Sequence, residues 1–286
     1  MRVADDRVLD GVVFIGVVDD RGRFVPLGTG FYTVKSDGGY LFQQVVTARH
    51  VIDQIAGDKV YLRANLKAGG TEVFISLKAD WTFHPNVPHG QYIDIAVLPS
   101  HVPPDKFDIK HMNIEADMLT SAAVDEQNIG IGDEVFFVGL FTNHYGQSRN
   151  IPVVRCGTLA AMPHEPMETE YGFIEGYLVE ARSLGGLSGS PVFTQSSLWG
   201  VRADGSVTMR HGKIWYFLGV FCGHWLVQNP EDAVAVKDGT RETGNINTGM
   251  GIVVPASKVL ETIDQPLLAA RRGEIVQANR NKSRPS

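Results

Sequence analysis

Cysteine is almost missing from this chain: 286 residues contain only Cys156 and Cys222. A scaffold stapled by disulfides needs many more, so the small secreted disulfide-rich class is excluded. The two are far apart and form no Cys-x-x-Cys pair, and no His-Glu-x-x-His occurs. Neither a metal nor any other cofactor is therefore expected. No apolar run reaches the roughly 18–20 residues of a membrane span. The start, Met1-Arg2-Val3-Ala4-Asp5-Asp6-Arg7, is polar and mixed in charge. The apolar stretch behind it is broken by Asp10 and closes at Asp19-Asp20, unlike a secretory signal. A reducing, cytoplasmic compartment is the simplest expectation. Positive charge is also in deficit, with a net −6, which argues against a general nucleic-acid binder. Arg271, Arg272, Arg280, Lys282 and Arg284 near the end read as a solvated basic tail. Internal repeats and low-complexity segments are absent as well.

What the chain does have is apolar residues in short runs. At 43% hydrophobic it can bury a substantial core as one or two compact domains. Val12–Val18, Gly30–Lys35, Leu41–Thr47, Val60–Asn65, Glu72–Leu77, Ile95–Leu98, Glu134–Leu140, Ile151–Leu159, Tyr177–Ala181, Pro191–Thr194, Ile214–Cys222 and Gly251–Val254 read as strands. They are β-branched or aromatic and separated by Gly, Asp and Asn turns. The pattern predicts an all-β fold, either a sandwich or barrels. Val51–Ile55 reads as a short helical turn, Ala256–Arg271 as a C-terminal helix, and residues 273–286 as a frayed polar end.

Three segments carry the chemistry: Thr47-Ala48-Arg49-His50, Asp94-Ile95-Ala96-Val97-Leu98 and Gly186-Leu187-Ser188-Gly189-Ser190-Pro191. A serine hydroxyl is a weak nucleophile near neutrality and needs a base within hydrogen-bond reach. The base in turn needs a group that fixes its tautomer. His50, Asp94 and Ser188 fit those roles, and only tertiary folding can unite residues so far apart. Each has a bland alternative: a half-buried structural histidine, a strand-edge aspartate, a turn serine. Asp94 stands out because it interrupts an apolar strand, where an unpartnered carboxylate is costly. His84 and His89 are competing bases, better read as turn and loop residues. The order His, Asp, Ser excludes the subtilisin and α/β-hydrolase arrangements, and Ser190 breaks the Gly-x-Ser-x-Gly elbow.

In these residues the chain resembles the chymotrypsin-like (trypsin-like) serine peptidases. Thr47-Ala48-Arg49-His50 is similar to the family's T-A-x-H segment. His84-Pro85-Asn86 followed by Asp94-Ile95-Ala96-Val97-Leu98 is similar to H-P-x…D-I-A-x-L, and Gly186–Pro191 to G-x-S-G-G-P. Gly28-Thr29-Gly30-Phe31 and Gly249–Pro255 resemble strands of bacterial, stand-alone members. The resemblance implies two six-stranded antiparallel β-barrels, the first over 8–120 with His50 and Asp94, the second over 128–255 with Ser188. Residues 256–286 would follow as a helix and polar tail.

It further implies a serine endopeptidase acting on a protein or peptide held in extended form. Its role would be dedicated regulation, stress response, phage defence or general quality control, with a regulatory protein as a possible partner. Gly186 and Ser188 would supply an oxyanion hole from their backbone amides. Arg182, placed by ungapped analogy near the primary pocket, together with Phe221, Cys222 and Gly223 on the strand that would pair with substrate, are the substrate-binding candidates. Arg182 there would favour an acidic side chain; its bland reading is an outward strand residue, and that of Cys222 a buried apolar one. Leu187 departs from the family, since zymogen-activated members carry Asp before the nucleophile. Leucine cannot answer a new N-terminal amine, so activation by N-terminal cleavage is not expected. The alternative function is a catalytically silent binding protein on a peptidase fold.

Overall fold

The computed structural model describes residues 6–85, 91–169, 172–181, 186–195, 199–201, 205–209, 215–227 and 246–282. After a single turn, α1 (Asp6–Leu9), come β1 (Val12–Val18), β2 (Phe24–Asp37) and β3 (Tyr40–Thr47). A one-turn helix α2 (Arg49–Asp53) leads to β4 (Lys59–Asn65), β5 (Thr71–Leu77), β6 (Thr82–Phe83), β7 (Ala96–Pro99) and β8 (Met112–Asn113). These strands form one eight-stranded sheet in the order β5-β4-β1-β2-β3-β7-β6, with β8 beside β2.

Helices α3 (Ile114–Asp117) and α4 (Ser121–Gln127) connect to the second half. That half comprises β9 (Glu134–Gly139), β10 (Val153–Ala161), β11 (Met167–Thr169), β12 (Gly172–Ile174), β13 (Tyr177–Glu180), β14 (Pro191–Gln195), β15 (Trp199–Val201), β16 (Val207–Met209), β17 (Trp215–Val227) and β18 (Ile246–Pro255). Six of them close a barrel, β10-β13-β18-β17-β14-β9, while β11-β12 and β15-β16 are separate hairpins.

The expectation of two closed six-stranded barrels thus holds for the second half; the first is an open sheet among the described residues. The ladder of the first half is interrupted after β5. Asp80 accepts the Leu77 N–H at 2.8 Å and caps a short 3-10 turn, Lys78–Asp80. Only residues 78–81 separate β5 from β6, which pairs with β7 at the other end of the strand order, so this bend brings the two ends of the sheet together without a ladder between them.

Two apolar clusters hold the halves. The barrel interior contains Phe137, Leu159, Val179, Leu187, Phe221 and Val253, with the Phe137 and Phe221 rings stacked 5.2 Å apart. The larger cluster runs from the open sheet to the outer face of the barrel, where Phe31 meets Phe217 edge-on at 5.5 Å. β9 explains how both clusters share one strand. Its run Val135-Phe136-Phe137-Val138 is buried on both faces, so alternate side chains serve alternate cores.

The C-terminus differs from the single helix Ala256–Arg271 with a frayed end. It forms α5 (Ala256–Ile263) and α6 (Pro266–Lys282). Pro266 lacks an N–H and suits the first helical position, so it ends one helix and starts another. Arg272 keeps the second helix down: it donates to the Ile263 carbonyl at 2.7 Å and to Asp264 and Asp37 at 2.8 and 3.1 Å. Leu268, Arg272 and Val276, one turn apart, are all buried. Among the described residues, no helix is long and apolar enough to cross a membrane.

Candidate active site

The apolar end of β3 runs through Thr47-Ala48 into α2, whose second residue is His50. Val51 and Ile52 of that turn are fully buried, which anchors it and leaves the His50 side chain 17% exposed. Asp94, just before β7, sits between buried Ile93 and Ile95 and is itself 0% exposed. Both of its carboxylate oxygens serve His50. Oδ1 accepts the His50 backbone N–H at 2.8 Å, and Oδ2 faces ring Nδ1 at 2.6 Å. A carboxylate only accepts, so the proton of the neutral ring belongs on Nδ1, and Nε2 becomes the acceptor.

Two further groups face the same carboxylate. The Tyr92 hydroxyl donates to Oδ1 at 3.4 Å, and the Cys222 thiol lies against it. Burial, and then the Asp94 charge, push the Cys222 thiol well above its ordinary range and raise the Tyr92 phenol likewise. Both therefore stay protonated near pH 7: the Tyr92 hydroxyl donates to the buried carboxylate, and the Cys222 thiol donates to the Val220 carbonyl at 3.9 Å. Outside them, the Arg49 guanidinium covers the Phe83 and Tyr92 rings at 5.0 and 5.6 Å and pairs with Asp53 at 3.2 Å.

The third segment is a turn from Gly186 to Ser190, before β14. Gly186 has φ +99, and a Cβ there would press on Leu140 and Thr142 at 3.0 Å. Gly189 has φ +84, and a Cβ there would collide with the Thr29 carbonyl and the Thr47 hydroxyl. Both positions need glycine for conformation and for space. Leu187 is 2% exposed and points into the barrel core. The turn is bonded to the first half through β2: the Thr29 N–H donates to the Ser188 carbonyl at 2.9 Å, and the Thr29 hydroxyl to the Gly186 carbonyl at 2.9 Å. Thr47, three residues before His50, donates to the Thr29 carbonyl at 2.6 Å. The backbones carrying His50 and Ser188 are thus joined through one residue. The Ser188 hydroxyl donates to the Cys222 carbonyl at 3.2 Å. Among the described residues, no protein acceptor takes the N–H of Gly186 or of Ser188.

The fold matches that of the MamO protease domain from Magnetospirillum magneticum, solved in its apo form, with a TM-score of 0.51. The two are 16% identical over 91% of this chain and 98% of that one. This chain shares the fold of that protease domain. No protein-family model and no curated protein matches it.

The other residues singled out from the sequence divide. Arg182 and His89 lie outside the described residues. Phe221 is 1% exposed in the barrel core, its N–H donating to the Ser190 carbonyl and its own carbonyl accepting from the Gly189 N–H. Its side chain is thus a core group and its backbone braces the Ser188 turn. Cys222 is buried beside Asp94 and meets the site through its carbonyl and thiol. Gly223 is half-buried on β17, and a Cβ there would meet nothing within 4 Å, so open space adjoins the strand. His84 is 6% exposed and held between the Pro85 carbonyl at 2.9 Å and Glu261 at 3.0 Å, which fastens its turn to α5.

Sequence reasoning missed Thr29 and Tyr92 as members of the site. Thr29 carried a signal, a lone hydroxyl between two glycines in an apolar strand. Tyr92 carried one in its spacing of two from Asp94. Among the described residues, no group of three or more His, Cys, Asp or Glu is arranged to hold a metal ion.

Proposed function

We propose that this chain is a serine endopeptidase whose triad is His50, Asp94 and Ser188, the first two supplied by residues 8–120 and the third by 128–255. The observation that carries the proposal is a fully buried carboxylate with both oxygens bonded to His50, whose strand reaches the Ser188 turn through Thr29. A buried charge is expensive unless it has such a partner, and this partner's remaining nitrogen is a base.

In the mechanism, the Ser188 hydroxyl rotates about χ1 from the Cys222 carbonyl to His50 Nε2. It attacks the scissile carbonyl carbon while Nε2 takes its proton. Asp94 holds the ring in the required tautomer and stabilises the imidazolium that forms. The developing oxyanion takes the N–H groups of Gly186 and Ser188. His50 then returns the proton to the leaving amine, and water hydrolyses the acyl-Ser188 ester by the same steps. Extended substrate pairs along β17 near Gly223, and Arg182 selects an acidic side chain by charge pairing.

A second reading, a silent peptidase-fold binding protein, draws on the resting bond of Ser188 to Cys222. Screening purified protein and its Ser188→Ala variant against a peptide library separates the two. Turnover by the first and none by the second supports the peptidase. Binding without turnover by both supports the silent protein.

A further inference from the structure

The Gly186–Ser190 turn needs something to hold it, because Leu187 carries no charge and is buried in the barrel core. Three successive carbonyls of the turn are held. The Gly186 carbonyl accepts from the Thr29 hydroxyl at 2.9 Å, the Leu187 carbonyl from the Ser190 N–H at 2.9 Å, and the Ser188 carbonyl from the Thr29 N–H at 2.9 Å. A trans peptide sets its N–H opposite its carbonyl. Fixing the Leu187 carbonyl therefore aims the Ser188 N–H, and the planes on either side are fixed by one residue.

Thr29 is fully buried on β2. Its hydroxyl also accepts the Leu140 N–H at 2.8 Å, just past β9. The fit is close on every side: a Cβ on Gly28 would press on Val51, one on Gly139 would press on Thr29 itself, and Leu140 is among the atoms nearest Gly186.

We propose that Thr29 is a positioning residue of the oxyanion site, its hydroxyl bridging Leu140 and Gly186 so that the turn is formed in the intact chain without a cleavage event. The inference rests on the serine-peptidase reading of the same turn. A hydroxyl is required because the position must donate to a carbonyl and accept from an amide at once, which neither valine nor alanine can do. Losing it leaves the buried Leu140 N–H and the part-buried Gly186 carbonyl without this partner and loosens the Gly186 plane.

The test compares wild type with Thr29→Val, Thr29→Ala and Thr29→Ser. Removing an oxyanion donor costs about 10²–10³-fold. Losing its support should lower kcat of Thr29→Val by roughly 10–10²-fold with KM nearly unchanged, and weaken a peptide boronate by the same factor. The kcat/KM pH midpoint should stay put, since His50 is untouched. Thr29→Ser should restore the rate. Independently of activity, native hydrogen exchange should speed up at the amides of Leu140, Gly189 and Ser190 in the valine and alanine variants and stay as in wild type in the serine variant. If Thr29→Val fails to fold, Thr29→Ala gives the same comparison. Unchanged exchange at those amides overturns the proposal, as does a serine variant as impaired as the valine one. Wild-type protein with neither turnover nor boronate affinity would instead overturn the peptidase reading, and the exchange data alone would then decide whether Thr29 holds the turn.

Discussion

Replacing Asp94 by asparagine separates the charge of this residue from its shape. The side chain is fully buried, and one oxygen already accepts the His50 backbone N–H at 2.8 Å and the Tyr92 hydroxyl at 3.4 Å. The amide oxygen of Asp94→Asn must take that place, because both groups are donors. Its NH₂ then faces His50 Nδ1, where a 2.6 Å contact now exists. Two N–H groups cannot face each other, so the imidazole moves its proton to Nε2 and loses the acceptor that Ser188 needs. A change of tautomer of this kind costs about 10⁴ in kcat, which at 1.36 kcal/mol per tenfold is about 5 kcal/mol of transition-state stabilisation. The fold should survive, since volume and most hydrogen bonds are kept; exchanging a charge-assisted bond for a neutral one costs about 1–2 kcal/mol. Steady-state hydrolysis of a peptide found by library screening gives kcat, a thermal melt checks the fold, and ¹⁵N spectra of the His50 ring report where its proton lies. A folded Asp94→Asn protein within about tenfold of wild type, with Nδ1 still protonated, would refute the reasoning.

Other consequences follow from buried polar groups. The Ser190 hydroxyl is fully buried and lacks a hydrogen-bond partner among the described residues, so Ser190→Ala should be neutral or stabilising by up to about 1 kcal/mol in urea unfolding; a clear loss would mean that the hydroxyl is bonded. Cys156 is exposed and Cys222 buried, both as free thiols, and burial raises Cys222 well out of the reactive range. Native alkylation should therefore add one group, at Cys156, and denatured alkylation without reductant two; native modification of Cys222 would contradict its placement. Burial lowers His111 from its ordinary 6.5, so the folded protein resists a proton that the unfolded chain accepts. Its contribution is complete above the unfolded value and lost as pH falls below about 6.5. The stability difference between wild type and His111→Phe should shift against wild type between about pH 7 and 5; a pH-independent difference would show that His111 titrates normally.

The parts legible in the sequence were those whose cause is local. The strands around His50 and Asp94, the turn before Ser188 and the strands of the closed barrel all show as short apolar runs punctuated by turn residues. What was not legible depends on partners distant in the chain. The break between the two ends of the first sheet falls at the short turn that Asp80 caps by accepting from Leu77, a bond that a composition pattern does not reveal. The second C-terminal helix follows from Pro266, a local signal passed over, and from Arg272, whose charge suggested solvent but whose guanidinium caps Ile263 and reaches Asp37. At the site, the Asp94 position was marked by its cost in an apolar strand. The surroundings of that carboxylate were not, because Cys222 comes from a strand of the other half. Thr29 was hidden for the same reason, its hydroxyl meeting a carbonyl 157 residues away.

The central claim is that Ser188 is a nucleophile activated by His50. Reaction of the purified chain with a fluorophosphonate, read by intact mass and peptide mapping, addresses it most directly, because the probe forms a stable bond only with an activated hydroxyl and needs no knowledge of the substrate. One adduct per chain, on Ser188, absent from Ser188→Ala and strongly reduced in folded His50→Ala, is the predicted result. An adduct on another serine, or none on folded protein at any pH from 6 to about 9, would contradict it.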